Sequence, residues 1–473
     1  MIPANSSSLS TAGLVADRLC TMFYCVDPTL HLHEKAEDVP DYVGGAVPMF
    51  IALIVLEAIA ITVMGRRQHL FNLKESLCSI SLGLLQLAIE GAGFTFMLKN
   101  MYPWVYDNLR LSTVPYDSAL CWAALVLGVD VCYYWMHRCS HEFHYGWVGH
   151  SVHHSGEYYN LATALRQGVG QSFVGPFFYL PLALLGLPQS MLLAHKSFNV
   201  LYQFWIHTEL VGSLGPLEYV LNTPSHHRMH HRPGGNCNYA GVLIIWDRIF
   251  GSFRAEESRK DLYGLGGQIF TYDPVLVNTD HPRKLFASTA DAGPAVWLKK
   301  LCGRRLPARW VFRPSALFEP IPAPKENLWR VPTQPARAKY EGGAYRGAAE
   351  AAYLVVHLGV LVLFMFSPAW KREGWAVCVL GVGWICFSLS CLGQLADAAD
   401  AADALEAGRA LLFGCLLWQQ QMPALSPLPL LDAATTPEVV RVVACCLPPL
   451  CFVAAAAARS GGAKAAPPAK KVQ

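Results

Sequence analysis

The chain has 473 residues, of which 53% are hydrophobic and only 15% charged, with a formal net charge of +3. Soluble domains carry roughly a quarter charged residues, so the deficit points to lipid surroundings. The small positive excess, with no Lys/Arg stripe, argues against nucleic acid as a partner, and fifteen cysteines without a CxxC pair argue against a zinc ribbon or disulfide framework.

About twenty apolar residues are needed to cross a bilayer as a helix. In chain order, such stretches are Ala46–Met64, Leu77–Leu98, Ser118–Met136 and a long run Phe173–Ile206 broken at Gly186-Leu187-Pro188. Pro stops a helix and Gly permits the turn, so that run predicts a membrane hairpin over 173–206. After a polar middle come Ala351–Phe366, Trp375–Leu395, Leu405–Leu417 and Val439–Ala457. The expectation is therefore an all-α, polytopic helical membrane protein of about nine spans.

Lys/Arg placement sets its orientation. "GRRQHLFNLKE" follows the first span, whereas Arg18 and Lys35 are the only basic residues before it. Residues 1–45 are then lumenal, 46–136 hold spans one to three, and 137–253 form a cytosol-facing catalytic region that includes the hairpin. A Pro-rich cytosolic segment (254–348), the C-terminal spans (349–457) and a cytosolic tail (458–473) complete the order.

Twelve of the seventeen histidines lie between His137 and His231. His137 and His141, four apart at the end of span three, share a helix face. His150, His153 and His154 form H-x-x-H-H, and so do His227, His230 and His231. In each triplet the outer pair faces one ion while the middle ring swings toward a neighbouring site. Eight ring nitrogens suit two metals with open coordination positions. A cluster of pH-sensing histidines would need no fixed spacing, and a storage tract would be lower in complexity.

His207, at the predicted mouth, is a candidate further ligand; His195 is left open, and His144 lacks a paired spacing. Asp130 shares a face with Tyr134, His137 and His141. It reads either as a carboxylate accepting a ligand histidine's second N–H or as a helix-packing group. Glu57 and Glu90, also within spans, remain unassigned.

Imidazole suits zinc, copper, iron and nickel alike. A dizinc hydrolase usually adds bridging carboxylates, whereas oxygen activation needs redox change and a dry pocket, so iron and lipid oxidation are favoured.

The order H-x3-H, H-x2-H-H, H-x2-H-H resembles the fatty acid hydroxylase and sterol desaturase superfamily. "DVCYYWMHRCSHE", "GHSVHHSGEYYNLATALRQ", "LYQFWIHTELVGSLGPLEYVLNTPSHHRMHH" and "NYAGVLIIWDRIFGSF" are most similar to the alkylglycerol monooxygenase family within it. That resemblance implies a non-haem enzyme with two iron ions in the endoplasmic reticulum membrane. It would cleave the ether bond of alkylglycerols using O2 and tetrahydrobiopterin. By position in the family motif, it also makes Glu142 the candidate for holding the pterin. Two alternatives stay open: a hydroxylase or desaturase of sterols, acyl chains or sphingoid bases fed by cytochrome b5, and a non-catalytic metal-binding membrane protein. The terminal "KKVQ" places Lys470 and Lys471 where a dilysine retrieval signal stands, in keeping with that compartment.

Overall fold

The structure, a computed structural model, describes residues 11–91, 96–289, 293–307, 310–332, 337–344, 348–366, 375–399 and 402–409. Among them there is no β-strand, only two isolated bridges, Phe143 with Arg304 and Leu221 with Leu243. The all-α expectation holds. The chain divides into a first unit, residues 1–270 and 274–341, and a second of residues 271–273 and 342–473.

In the first unit, α1 (Thr11–Met22) precedes α2 (Tyr42–Val63), whose N-terminus is capped by the Asp41 carboxylate accepting from Gly44 N at 2.8 Å. On α2, Ala46, Phe50, Ile54, Glu57 and Ile61 recur at helical spacing and are buried. Ile51, Val55, Leu56, Ile59 and Val63 are exposed on the remainder. A helix apolar all round, with half its circumference uncovered by protein, is built for lipid.

The next helix, α3 (Leu73–Gly91), starts where Asn72 Oδ1 accepts from Lys74 N (2.9 Å) and Glu75 N (3.2 Å). It buries Lys74, Glu75, Ser76, Ser79 and Ser81, so much of it lies against protein. α4 (Phe96–Leu109) leads to α5 (Ala119–Glu142), which begins where Ser118 Oγ accepts from Cys121 N at 3.1 Å. Cys121, Leu125, Val129 and Cys132 of α5 pack on Tyr179, Leu182, Ala183, Leu187 and Met191 in one core. After α5 comes α6 (His144–His153), ending where the chain turns at His154.

The hairpin turns where expected. Gly186 has φ +80°, and a Cβ there would lie 2.0 Å from Ser112 O, so glycine is required on both counts. Its two arms differ. Gly175, Pro176 and Pro181 divide the first into Gln171–Val174, a 3-10 turn Gly175–Tyr179, and Leu180–Leu184. Fewer than twenty residues, interrupted twice, fall short of the roughly 30 Å of a bilayer core. The second arm, α7 (Gln189–Trp205), buries Ser190, His195 and Asn199 among apolar neighbours. The first arm is thus a broken, short segment that leaves Phe173, Phe177 and Leu184 exposed, rather than a continuous spanning helix.

Next come α8 (Pro224–His231), buried at all eight residues with Pro at its first turn, and the short α9 (Ile245–Ile249). α10 (Pro274–Ala287) and α11 (Pro294–Leu301) complete the first unit's helices. The second unit contains α12 (Ala348–Phe366), α13 (Trp375–Asp397) and a helical segment at 402–409. There Glu406 accepts from Tyr353 OH and from Arg409 Nε (2.8 Å), and Arg409 also reaches His357 Nδ1 at 3.1 Å. Among the described residues two helices are long and apolar enough to cross a membrane, those ending at Val63 and Glu142. The last expected span, most of 405–417 and the Lys470-Lys471 tail lie outside the described residues.

Candidate metal centre

Three helix ends meet to form the site. The end of α5 brings His137 and His141, α6 with the residue after it brings His150, His153 and His154, and α8 brings His227, His230 and His231. His207 arrives two residues beyond α7. Close approach of α6 to the start of the hairpin needs glycine: a Cβ on Gly149 would sit 2.5 Å from Gln171 N, and one on Gly168 2.0 Å from Gly149 O.

The nine rings sort into two buried groups: His137, His141, His150, His154 and His230, then His153, His207, His227 and His231. In each group the potential ligand atoms lie within 4.8 Å of one another. Each triplet splits as its spacing requires. The outer pair, His150 with His154 or His227 with His231, shares a group, and the middle ring, His153 or His230, enters the other. The spacing argument could not decide His207, and the fold supplies it as a fourth nitrogen of the second group.

The inward nitrogens nearly touch. In the first group His137 Nε2 is 2.9 Å from His150 Nε2, which is 3.1 Å from His154 Nε2. In the second, the Nε2 atoms of His153 and His207 are 3.2 Å apart, His207 and His227 3.0 Å, and His227 and His231 3.2 Å. The outward nitrogens decide what these distances mean. His137 Nδ1 donates to Tyr239 O (2.7 Å), His153 Nδ1 to Arg166 O (2.9 Å), His207 Nδ1 to Gln203 O (2.6 Å) and His230 Nδ1 to Cys237 O (2.8 Å). A carbonyl oxygen can only accept, so these rings carry their proton outward and present a bare lone pair inward.

His150 does the same toward Gln171 Oε1 at 3.2 Å. Two bare Nε2 atoms cannot hydrogen-bond each other. Their spacing matches instead the edges of a coordination polyhedron with metal–nitrogen bonds of about 2.1 Å, where neighbouring ligands lie roughly 3.0–3.4 Å apart. His230 Nε2 and both ring nitrogens of His141 are buried without a hydrogen-bond partner, as a waiting ligand would be. The residues fit two imidazole-bound metal ions.

Electrostatics agree. Burial first, then repulsion from neighbouring rings, holds His150, His154, His227, His230 and His231 well below the ordinary imidazole pKa. Burial likewise lowers His153 to about 4. Neutral rings are the ligating form.

Buried ion pairs brace the group from outside. Arg228 pairs with Glu256 at 2.7 Å and donates to Thr208 O and Val211 O, pinning α8 to the chain after His207. Arg166, whose carbonyl holds His153, donates through Nε to Ser155 Oγ at 2.9 Å and faces Glu75 at 3.7 Å. Glu57 accepts from Leu161 N at 2.7 Å and from Thr208 Oγ1, which accounts for its place within α2. Tyr159, buried against His207 and His231, closes the inner wall.

Of its two readings, Asp130 takes the helix-packing one. It touches no histidine: its oxygens accept from Asn199 Nδ2 (2.7 Å), Val242 N (2.8 Å), Leu243 N (2.8 Å) and Trp246 Nε1 (2.9 Å). One helix face brings Asp130 near His137, but Tyr239 O takes that ring's proton. Asp130 instead fixes the 242–246 segment that follows Tyr239. Asp130→Asn is expected to lower turnover about 10–100-fold, as for outer supports of metal ligands, with protein yield retained. Wild-type turnover and iron content in that variant would remove the supporting role.

Glu142, the candidate for holding the pterin, is already paired within the chain. It accepts from Arg138 Nε (2.8 Å), Trp310 Nε1 (2.8 Å) and Arg304, so both oxygens are engaged within the chain. A bound pterin would have to displace these partners. Glu142→Ala is expected to lower the thermal midpoint and leave the pterin concentration for half-maximal rate unchanged. A raised pterin requirement at unchanged stability would restore the cofactor role. His144, His195 and His226 belong to neither group; His195 Nδ1 meets Tyr24 OH at 2.7 Å.

A family model described as fatty acid hydroxylase matches residues 122–252, the stretch bearing all nine rings. A Xenopus tropicalis protein named alkylglycerol monooxygenase is 38% identical over 405 residues, 84% of this chain and 87% of that protein. The chain belongs to the alkylglycerol monooxygenase family. Family members so named from Homo sapiens and Danio rerio are each 46% identical, over 263 and 259 residues. Those matches take in 55% and 53% of this chain, and span only 58% and 56% of the relatives' own lengths. No solved structure matches the chain.

Proposed function

We propose that the chain is a membrane-bound non-haem diiron monooxygenase that cleaves the O-alkyl bond of alkylglycerol ether lipids with O2 and tetrahydrobiopterin. The observation that carries this reading is the carboxylate-free set of nine buried histidines in two groups, five of which donate outward to a carbonyl oxygen. Family membership adds the ether-lipid substrate.

His137, His141, His150, His154 and His230 would hold one iron, and His153, His207, His227 and His231 the other. Bound iron would supply the redox chemistry by which O2, with two electrons from the pterin, hydroxylates the carbon beside the ether oxygen and gives one water. The hydroxylated carbon is a hemiacetal centre. Its hydroxyl gives up a proton, the C–O bond to glycerol breaks, and a fatty aldehyde and a glycerol derivative separate.

The chain's own part is positioning and exclusion. Backbone carbonyls hold five-membered rings in one tautomer, and Tyr159, Trp147 and Tyr239 wall the rings from water. The turn at Gly186 fits a hairpin that returns the chain to the side it left, in keeping with a cytosolic face.

The test is conversion of a labelled alkylglycerol by membranes containing the chain, with and without tetrahydrobiopterin. Pterin-dependent fatty aldehyde is expected. Turnover that follows cytochrome b5 instead would place the chain with the sterol and acyl hydroxylases.

A further inference from the structure

A second cluster of basic groups lies beside the metal centre; its two rings, His144 and His281, belong to neither histidine group, while Arg305 donates through Nε to His141 O (2.9 Å) and through Nη2 to Asn236 Oδ1 (3.1 Å). His144, at the start of α6, stacks on His281 of α10 with centroids 5.9 Å apart and planes 11° from parallel. His144 Nδ1 and His281 Nε2 are both buried without a hydrogen-bond partner. Around them stand Arg305, Lys300 and Lys284, all close enough to act electrostatically on one or both rings, and among the described residues the carboxylate that acts on them is Asp280.

Asp280 is already taken by Lys284 at 2.8 Å, and Lys300 Nζ donates only to Ser288 Oγ at 2.8 Å. The start of α6 adds its positive end, since Phe143 at the cap position offers no side-chain acceptor. Local charge is therefore positive and unbalanced, and two buried ring nitrogens lack partners. An anion satisfies both conditions.

Trp147 joins this cluster to the metal centre. Its ring lies 6.5 Å from His281, 5.1 Å from His141 and 5.6 Å from His154, and Arg305 lies 4.0 Å over it. A ligand held at the edges of the His144 and His281 rings is thus one aromatic ring away from the histidine groups.

We propose that His144, His281, Lys300 and Arg305 form a phosphate-binding subsite that receives the phosphate ester of a lipid headgroup at the mouth of the metal centre. The headgroup assignment rests on the ether-lipid reading above, but anion binding does not, and it is measured without turnover.

The experiment is calorimetric titration of the purified full chain with inorganic phosphate, glycerol 3-phosphate and glycerol. Either phosphate is expected to bind and glycerol not. The double variant His144→Ala/His281→Ala and the milder Lys300→Gln should each weaken binding, the double variant by at least about ten-fold, with iron content unchanged. Tighter binding of glycerol 3-phosphate assigns the site to headgroups; equal affinity assigns it to the free ion, and both outcomes support an anion subsite. Two results overturn it: no phosphate binding to the wild-type chain, or equal binding by wild type and Lys300→Gln together with a double variant of intact iron content. Loss of ether cleavage with phosphate binding retained would defeat only the enzymatic reading.

Discussion

Replacing His207 by alanine is expected to abolish turnover and to cost the chain one of its two metal ions. The second group holds four rings, and His207 Nε2 lies between His153 and His227, 3.2 and 3.0 Å away. Its removal leaves three nitrogens in that group. Loss of an outer support alone weakens such sites about 10–100-fold, so loss of a ligand should exceed 100-fold in turnover. The same outcome is expected for alanine at His137, His141, His150, His153, His154, His227, His230 or His231. His144→Ala, outside both groups, should retain turnover of a neutral alkylglycerol. Metal analysis of the purified variants beside product formation checks the set, and wild-type activity in two or more of the nine would break the ligand assignment.

Arg228→Ala should have the largest effect on stability. Arg228 and Glu256 are buried, paired at 2.7 Å, and Glu256 also holds Arg232 at 2.9 Å. Truncating one partner of a buried pair strands the other charge and costs about 3–5 kcal/mol. Here it also frees two backbone carbonyls, Thr208 O and Val211 O, that Arg228 ties to α8. The three ligands on α8 should then lose their register, and metal content should fall with the thermal midpoint. A variant with an unchanged midpoint in the metal-free protein would show that the pair is not structural support.

Eight of the nine grouped histidines were legible because a helix converts spacing into direction: four residues apart share a face, and the middle of H-x-x-H-H turns away from it. His207 carried no such signal, since its partners lie on other helices. The supports of the rings were invisible for a different reason. Tyr239, Arg166, Gln203 and Cys237 act through backbone oxygens, which every residue possesses. Asp130 misled because proximity on a helix face does not say which acceptor wins a ring's proton.

For the fold, Gly186-Leu187-Pro188 marked the turn correctly. The apolar run before it hid Gly175, Pro176 and Pro181, and composition could not distinguish a span from short pieces buried in protein. α3 shows the same limit, because its apolar run continues beside buried Lys74 and Glu75.

The most direct measurement is a Mössbauer spectrum, with metal analysis, of the purified full chain loaded with isotopically enriched iron. Two imidazole-bound irons per chain, falling to one in His207→Ala, are expected from the two histidine groups. A single iron per chain, or zinc retained at both positions in the active protein, would contradict the diiron centre.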